Sequence, residues 1–221
     1  RLLFGGQVSI LVGFVTAICA AVIGTIIGLI AGYHGGWIDA FLMRSTDSVI
    51  ALPLLPLLIV LAGLDLTKLG LPTTLIESDS ISLYRIIFIV SLVSWTTVAR
   101  LVRGATLTIK EREFVLAALS QGASSTRIMR VHILPNLASP IIVATTLSVG
   151  NIILVESILS FLGLGVQPPI PSWGNLLTNA HELIYTAQWL AFYPGIAIIL
   201  TVVAFNFLGD GLQEALDPKG G

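Results

Sequence analysis

Residues 8–32 read VSILVGFVTAICAAVIGTIIGLIAG. No charged side chain interrupts the run from Val8 to Gly32, and its apolar residues follow one another without the strict alternation of a half-buried strand. About 20 such residues suffice to cross the hydrocarbon core of a bilayer as a helix. A helix is also the natural solution there, because it satisfies its own backbone N–H and C=O groups where no water can. The run is too long for the apolar core of a cleavable signal, and no small-residue cleavage pattern follows it. Four further apolar stretches repeat the pattern: about Asp47–Leu64, with an amphipathic lead-in from near Ile38, then about Tyr84–Leu101, Leu137–Leu162 and Ala187–Leu208. They predict an all-α polytopic membrane protein of about five spans. A transmembrane barrel does not fit, since its strands alternate over about 10 residues and these runs are continuous.

Composition says the same. The chain has 221 residues, of which 55% are hydrophobic and 10% charged, and its mean hydropathy is +0.97. A soluble domain carries about 25% charged residues. The deficit excludes a soluble globular enzyme and a disordered tail, and a net charge of −1 offers nothing to a nucleic acid. The single cysteine, Cys19, excludes a disulfide framework and a cysteine metal site. Twenty-one glycines and ten prolines suit broken, closely packed membrane helices. Gly13, Gly24, Gly28 and Gly32 recur at a spacing that permits close helix crossing, and Pro53 and Pro56 break the second apolar stretch. Position 1 is Arg, which predicts a piece of a longer chain with one more helix upstream.

Six of the eleven basic residues, Arg100, Arg103, Lys110, Arg112, Arg127 and Arg130, fall between the third and fourth stretches. The positive-inside rule places that loop in the cytoplasm. By alternation the loops 66–82 and 161–186 fall outside, Ser172 among them, and the C-terminus falls inside. Lys68 stands against Glu77 and Asp79 in the first of these outer loops, and the second has no Lys or Arg.

Within the basic loop, Glu111–Val131 is too polar to span. Phe114, Val115, Ala118 and Leu119 share one helical face, Gly122 suits a helix C-terminal cap, and Ser124 or Ser125 can cap a second short helix through Met129. Pro135 fits the first turn of the next span. Two short helices joined at a glycine, with Ala117 and Ala118 at their surface, form a rigid element another protein's backbone can approach. The competing reading is an amphipathic hairpin lying on lipid.

At these residues the chain resembles a family. Glu113-Phe114-Val115-Leu116-Ala117-Ala118-Leu119-Ser120-Gln121-Gly122, then nine residues to His132-Ile133-Leu134-Pro135, is similar to the EAA loop of ABC-importer permeases, a Glu-Ala-Ala, three residues, Gly, nine residues, Ile-x-Leu-Pro pattern. Ala117, Ala118, Gly122, Leu134 and Pro135 match it. Leu116 stands at the Glu position, and His132 at the first Ile, as in the peptide/nickel subgroup. Three more stretches resemble that subgroup's second, "C"-type permease: Gly32-Tyr33-His34-Gly35-Gly36-Trp37-Ile38-Asp39, Leu159–Gly174, and Gly209-Asp210-Gly211-Leu212 with Ala215-Leu216-Asp217-Pro218. The resemblance implies a type I ABC transmembrane domain over 1–221, its first helix missing, with 104–132 as the EAA-like loop. It implies a second permease subunit, two ATP-binding subunits and an external substrate-binding protein as partners, in the inner (cytoplasmic) membrane. ATP is then bound by the partners, and no Gly-x-x-x-x-Gly-Lys loop stands in this chain to cradle phosphate. Peptides are the implied cargo, with nickel or another small solute as the alternative. An ion-driven secondary transporter ranks low, since paired intramembrane acids are lacking.

Glu156 is the one carboxylate well inside the fourth stretch, which makes it the candidate for the transport pathway. It lies about 28 Å along a helix from Leu137, so hydration at the outer interface or bonding to a neighbouring helix are the alternatives. His34, His132 and His181 are too scattered for a metal site, and Trp37, Trp173 and Trp189 suit the interfacial belt.

Overall fold

The computed structural model describes residues 1–64, 80–178, 180 and 185–216. The expectations for Lys68, Glu77, Asp79, His181, Asp217 and Pro218 lie outside these residues. Among the described residues every regular element is helical. In chain order they are α1 (Leu2–His34), α2 (Gly36–Ala51), α3 (Leu54–Ala62), α4 (Ile81–Ile109), α5 (Glu113–Ser120), α6 (Ser125–Arg127), α7 (Ala138–Phe161), α8 (Trp173–Leu176) and α9 (Trp189–Leu216). A π-helical turn, Ile128–Ile133, and a 3-10 turn, Leu134–Leu137, run from α6 into α7.

Among the described residues four helical stretches are long and apolar enough to cross a membrane: α1, α4, Ser125–Phe161 and α9. The remaining expected stretch, the second in chain order, is broken between α2 and α3. Pro53 explains the break: it caps α3 in an extended conformation, and the residue before a proline is driven out of the helical region, as Leu52 is at ψ 137°. The helices also overrun the expected bounds. Apolar content marks where lipid is crossed, whereas the hydrogen-bonded ladder continues into water, so α4 reaches Ile109 rather than Leu101. The stretch that leaves the helix accordingly begins at Lys110.

The chain forms two compact units. One comprises residues 1–17, 53–92 and 147–207. In it Gly13 lets α1 approach α7: a methyl group there would lie 2.5 Å from Ile153 Cγ1. Gly150 brings α7 near the backbone of Val202 on α9. Only 11% of the apolar window of α9 is buried, which leaves Ile199, Leu200, Val203 and Phe207 to the surroundings of the chain.

The other unit comprises residues 18–52, 93–146 and 208–221. Here the glycine stripe of α1 lies against α4. A Cβ at Gly24 would stand 2.6 Å from the carbonyl oxygen of Trp95, one at Gly28 would strike that of Ala99, and one at Gly32 would lie 2.7 Å from Thr106 Cβ. The core of this unit is Leu29, Val98, Val102, Val115, Ile128, Ile133 and Leu137. It joins α1 and α4 to the short helices of the basic loop.

Candidate functional site

The loop between α4 and α7 is the site the sequence singles out. α5 starts at Arg112 in an extended conformation, and its first turn carries Glu113, where the helix N-terminus favours an acid. It ends in a Schellman motif. The amide of Ala123 donates to the carbonyl of Ala118 at 3.1 Å, and the amide of Gly122 donates to that of Leu119 at 2.9 Å. Gly122 adopts φ 81°, which a residue without a Cβ accepts at no steric cost. Ser124 then caps α6, its Oγ accepting from the amide of Arg127 at 3.4 Å.

From Ser125 onward the helix does not stop. It passes through the π-helical turn Ile128–Ile133, tightens to 3-10 at Leu134–Leu137, and enters α7. Pro135 sits where the π-helical turn gives way to the 3-10 turn, and Asn136 Nδ2 donates to the carbonyl of His132 at 2.7 Å. The second short helix is thus the first turns of the next span and not a separate segment.

The faces differ from the expected ones. Val115 and Ala118 turn inward to the core, and Ala118 is 8% exposed. Phe114 and Leu119, expected on the same face, are exposed. Among the five matched residues, Ala117, Gly122 and Pro135 are exposed, whereas Ala118 is buried and Leu134 is half-buried against the core. Ala118 is therefore corrected from a surface residue to a seat residue. A helix of two turns resolves this only once the partner side is known: a period of 3.6 puts 114 and 118 on one side, but the core receives the arc 115–118. Leu116, which stands at the family's Glu position, is 49% exposed and offers an apolar side chain there. Phe114, Leu116 and Leu119 are exposed on α5, Phe114 and Leu119 flanking the buried Val115 and Ala118 and Leu116 on the outer side, with open space around Gly122. The sequence reading passed over Leu116 as a departure, although it is one of the larger side chains α5 presents.

Ion pairs tie α2 to α4 in the same unit. Arg103 grips Asp39 with both ends of its fork, Nε to Oδ1 at 2.7 Å and Nη2 to Oδ2 at 2.5 Å. Arg100 meets Asp47 at 2.5 Å, in a more exposed position. Lys110 Nζ donates to the carbonyl of Gly32 at 3.1 Å. Arg100 and Arg103 are therefore helical, charge-matched residues and not part of a loop. Asp47 is thus held by a residue 53 positions away.

Glu156 lies in the other unit. It has no exposed surface. Ser9 Oγ on α1 donates to its Oε2 at 3.0 Å, and Ser160 Oγ to its Oε1 at 2.6 Å. Bonding to a neighbouring helix, one of the alternatives, is what the side chain does.

Known proteins place this architecture. Residues 24–220 match the family model described as "Binding-protein-dependent transport system inner membrane component". The dipeptide transport system permease protein DppC of Alkalihalophilus pseudofirmus is 40% identical over 99% of this chain and 67% of its own length. The glutathione transport system permease protein GsiD of Pectobacterium atrosepticum is 39% identical over 99% of this chain and 68% of its own. Among solved structures, the MetNI methionine ABC transporter in an inward-facing conformation shares the fold at a TM-score of 0.75 and 19% identity, covering 97% of this chain and 95% of that one. An amino acid ABC transporter matches at a TM-score of 0.64 and 18% identity, over 97% and 94%. Fold and relatives define an all-helical, multi-pass permease subunit of an ABC importer. The chain belongs to the family of inner membrane components of binding-protein-dependent transport systems.

Proposed function

We propose that this permease subunit forms part of the membrane pathway for peptides. It works with a second permease subunit, two ATP-binding subunits and an external substrate-binding protein, in the inner membrane with its C-terminus in the cytoplasm. ATP binds and is hydrolysed on the partner subunits, and this chain is not itself an enzyme. The cargo class is supported by the relatives' names, dipeptide in one and the tripeptide glutathione in another.

One observation carries the coupling role: α5 and α6 meet at a left-handed glycine, present Phe114, Leu116 and Leu119 outward, and are fixed to α1 and α4 through Val115, Ile128, Ile133 and Leu137. A partner's surface closes on Leu116, Ala117 and Gly122, while Ala118 and Leu134 seat the element. Displacement passes through Pro135 into α7 without a flexible joint, because the helix is continuous there. Such a device needs a two-state element that both sides bias, and ATP binding at the partner supplies the bias.

The test is uptake of a labelled dipeptide by vesicles holding the full complex. Uptake is expected to require ATP, both ATP-binding subunits and the binding protein. Uptake sustained by an ion gradient with the ATP-binding subunits omitted would overturn the reading.

A further inference from the structure

The buried carboxyl of Glu156, which Ser157 Oγ also meets at 3.5 Å, has a second layer of bonds beyond Ser9 and Ser160. Ser9 Oγ, which donates to Oε2, accepts from the backbone amide of Trp173 at 3.1 Å. Ser160 Oγ, which donates to Oε1, accepts from the backbone amide of Val166 at 3.0 Å. Each hydroxyl has one proton and points it at the carboxyl, so its lone pairs face the loop that follows α7. This departs from the habit of helical hydroxyls elsewhere in the chain. Ser45, Thr46, Ser48, Ser120, Thr145 and Thr146 all donate to the carbonyl four residues back. At Ser9 and Ser160 a charged-type acceptor outcompetes that carbonyl.

The loop itself lies closely against α7. A Cβ at Gly165 would strike Ser160, and one at Gly174 would lie 2.5 Å from the carbonyl oxygen of Ser157. Ser172 and Asn175 form a capping box that opens α8, and Asn175 Nδ2 donates to the carbonyls of Val166 and Ile170 at 3.2 and 2.8 Å. Trp173 Nε1 donates to the carbonyl of Leu2 on α1 at 3.1 Å.

We infer that Glu156 is a positioning residue for the loop 163–178: through the hydroxyls of Ser9 and Ser160 it holds the Trp173 and Val166 amides on α1 and α7, and so presents Gln167, Pro168 and Pro169 as a fixed exposed edge to the external binding protein. This use of the edge rests on the importer reading above. An ionised carboxyl accepts at both ends, and that is the form the positioning role requires. Gln has one accepting end and one donating end, and Leu has neither.

The experiment measures amide hydrogen exchange at Val166 and Trp173 in the assembled complex. Ser9→Ala is expected to release Trp173 alone, Ser160→Ala to release Val166 alone, Glu156→Leu to release both and Glu156→Gln to release one. Each release is an acceleration of about tenfold, the ratio that about 1.4 kcal/mol of lost hydrogen bonding produces. In parallel, the binding-protein concentration for half-maximal ATPase stimulation is expected to rise about tenfold in Ser9→Ala and Ser160→Ala, with the maximal rate retained. Uniform acceleration across the chain in place of the site-specific pattern, or unchanged protection in both serine variants, overturns the positioning role. Released amides with unchanged half-maximal stimulation overturn the part played by the edge. If Glu156→Leu fails to assemble, the serine variants decide the matter alone. A wild-type complex that gives no response to binding protein refutes the importer reading, while the exchange pattern still judges the positioning role.

Discussion

Gly122 joins two kinds of constraint that substitution can separate. Its φ of 81° penalises any Cβ, by about 1–2 kcal/mol for an ordinary residue and less for Asn. Yet nothing within 4 Å would meet that Cβ inside the chain. Gly122→Asn is therefore expected to fold and insert normally, so any loss it causes arises at the partner surface. Gly122→Val adds backbone strain as well. Peptide uptake and binding-protein-stimulated ATP turnover are expected to fall together in both variants, with Val the more severe. Wild-type uptake by Gly122→Asn, with the ATP-binding subunits bound at normal affinity, would remove this loop from the coupling path. The ion pairs make a contrasting case. A forked, half-buried Arg103–Asp39 pair holds more energy than an exposed Arg100–Asp47 pair. Double-mutant cycles on unfolding in detergent should give about 1–2 kcal/mol of coupling for the first and about 0–0.5 for the second. Equal couplings would deny the fork its role. The turn at Gly122 was legible in the sequence because only one residue type suits a left-handed cap. Asp39 with Arg103 was not, because residues 64 positions apart meet only after α2 and α4 have packed.

At the scale of elements, the glycine stripe of α1 fixes how near α4 can come. Gly24, Gly28 and Gly32 each leave room that backbone atoms of α4 occupy, and backbone cannot swing aside as a side chain can. Gly28→Leu is expected to destabilise the chain by about 1–3 kcal/mol or more, seen as lost folded protein in detergent extracts. Gly104→Ala, on α4 with open space around it, should be neutral or slightly stabilising. Similar yields for the two variants would contradict the close crossing. The spacing of these glycines in the sequence already implied such a crossing, and Pro53 with Pro56 already implied the break after α2. What apolar periodicity does not encode is the passage of α6 through π and 3-10 turns into α7, since the same apolar residues suit an unbroken α-helix.

Among the described residues, hydropathy located the four helices long and apolar enough to cross a membrane, because in lipid the cost of an unsatisfied backbone overrides local preference. Sidedness rests on the basic residues. Arg100 and Arg103 are matched by Asp47 and Asp39 on α2, which leaves Lys110, Arg112, Arg127 and Arg130 as the cluster around the short helices. Those four favour the cytoplasmic side, and the segment between α7 and α9, without Lys or Arg, favours the outside. Cysteine labelling in intact cells tests this once Cys19 has been replaced by Ala. The probe positions must be exposed in the fold. Ser172, which a plain loop would leave open, is buried and caps α8, so it would stay unlabelled on either side of the membrane. Tyr185 is 93% exposed, and Ser125 is exposed at the start of α6. An impermeant thiol reagent is expected to modify Tyr185→Cys in intact cells and to reach Ser125→Cys only after the membrane is opened. Modification of Ser125→Cys in sealed cells, with Tyr185→Cys protected, would invert the chain and put the short-helix pair out of reach of any cytoplasmic ATP-binding subunit.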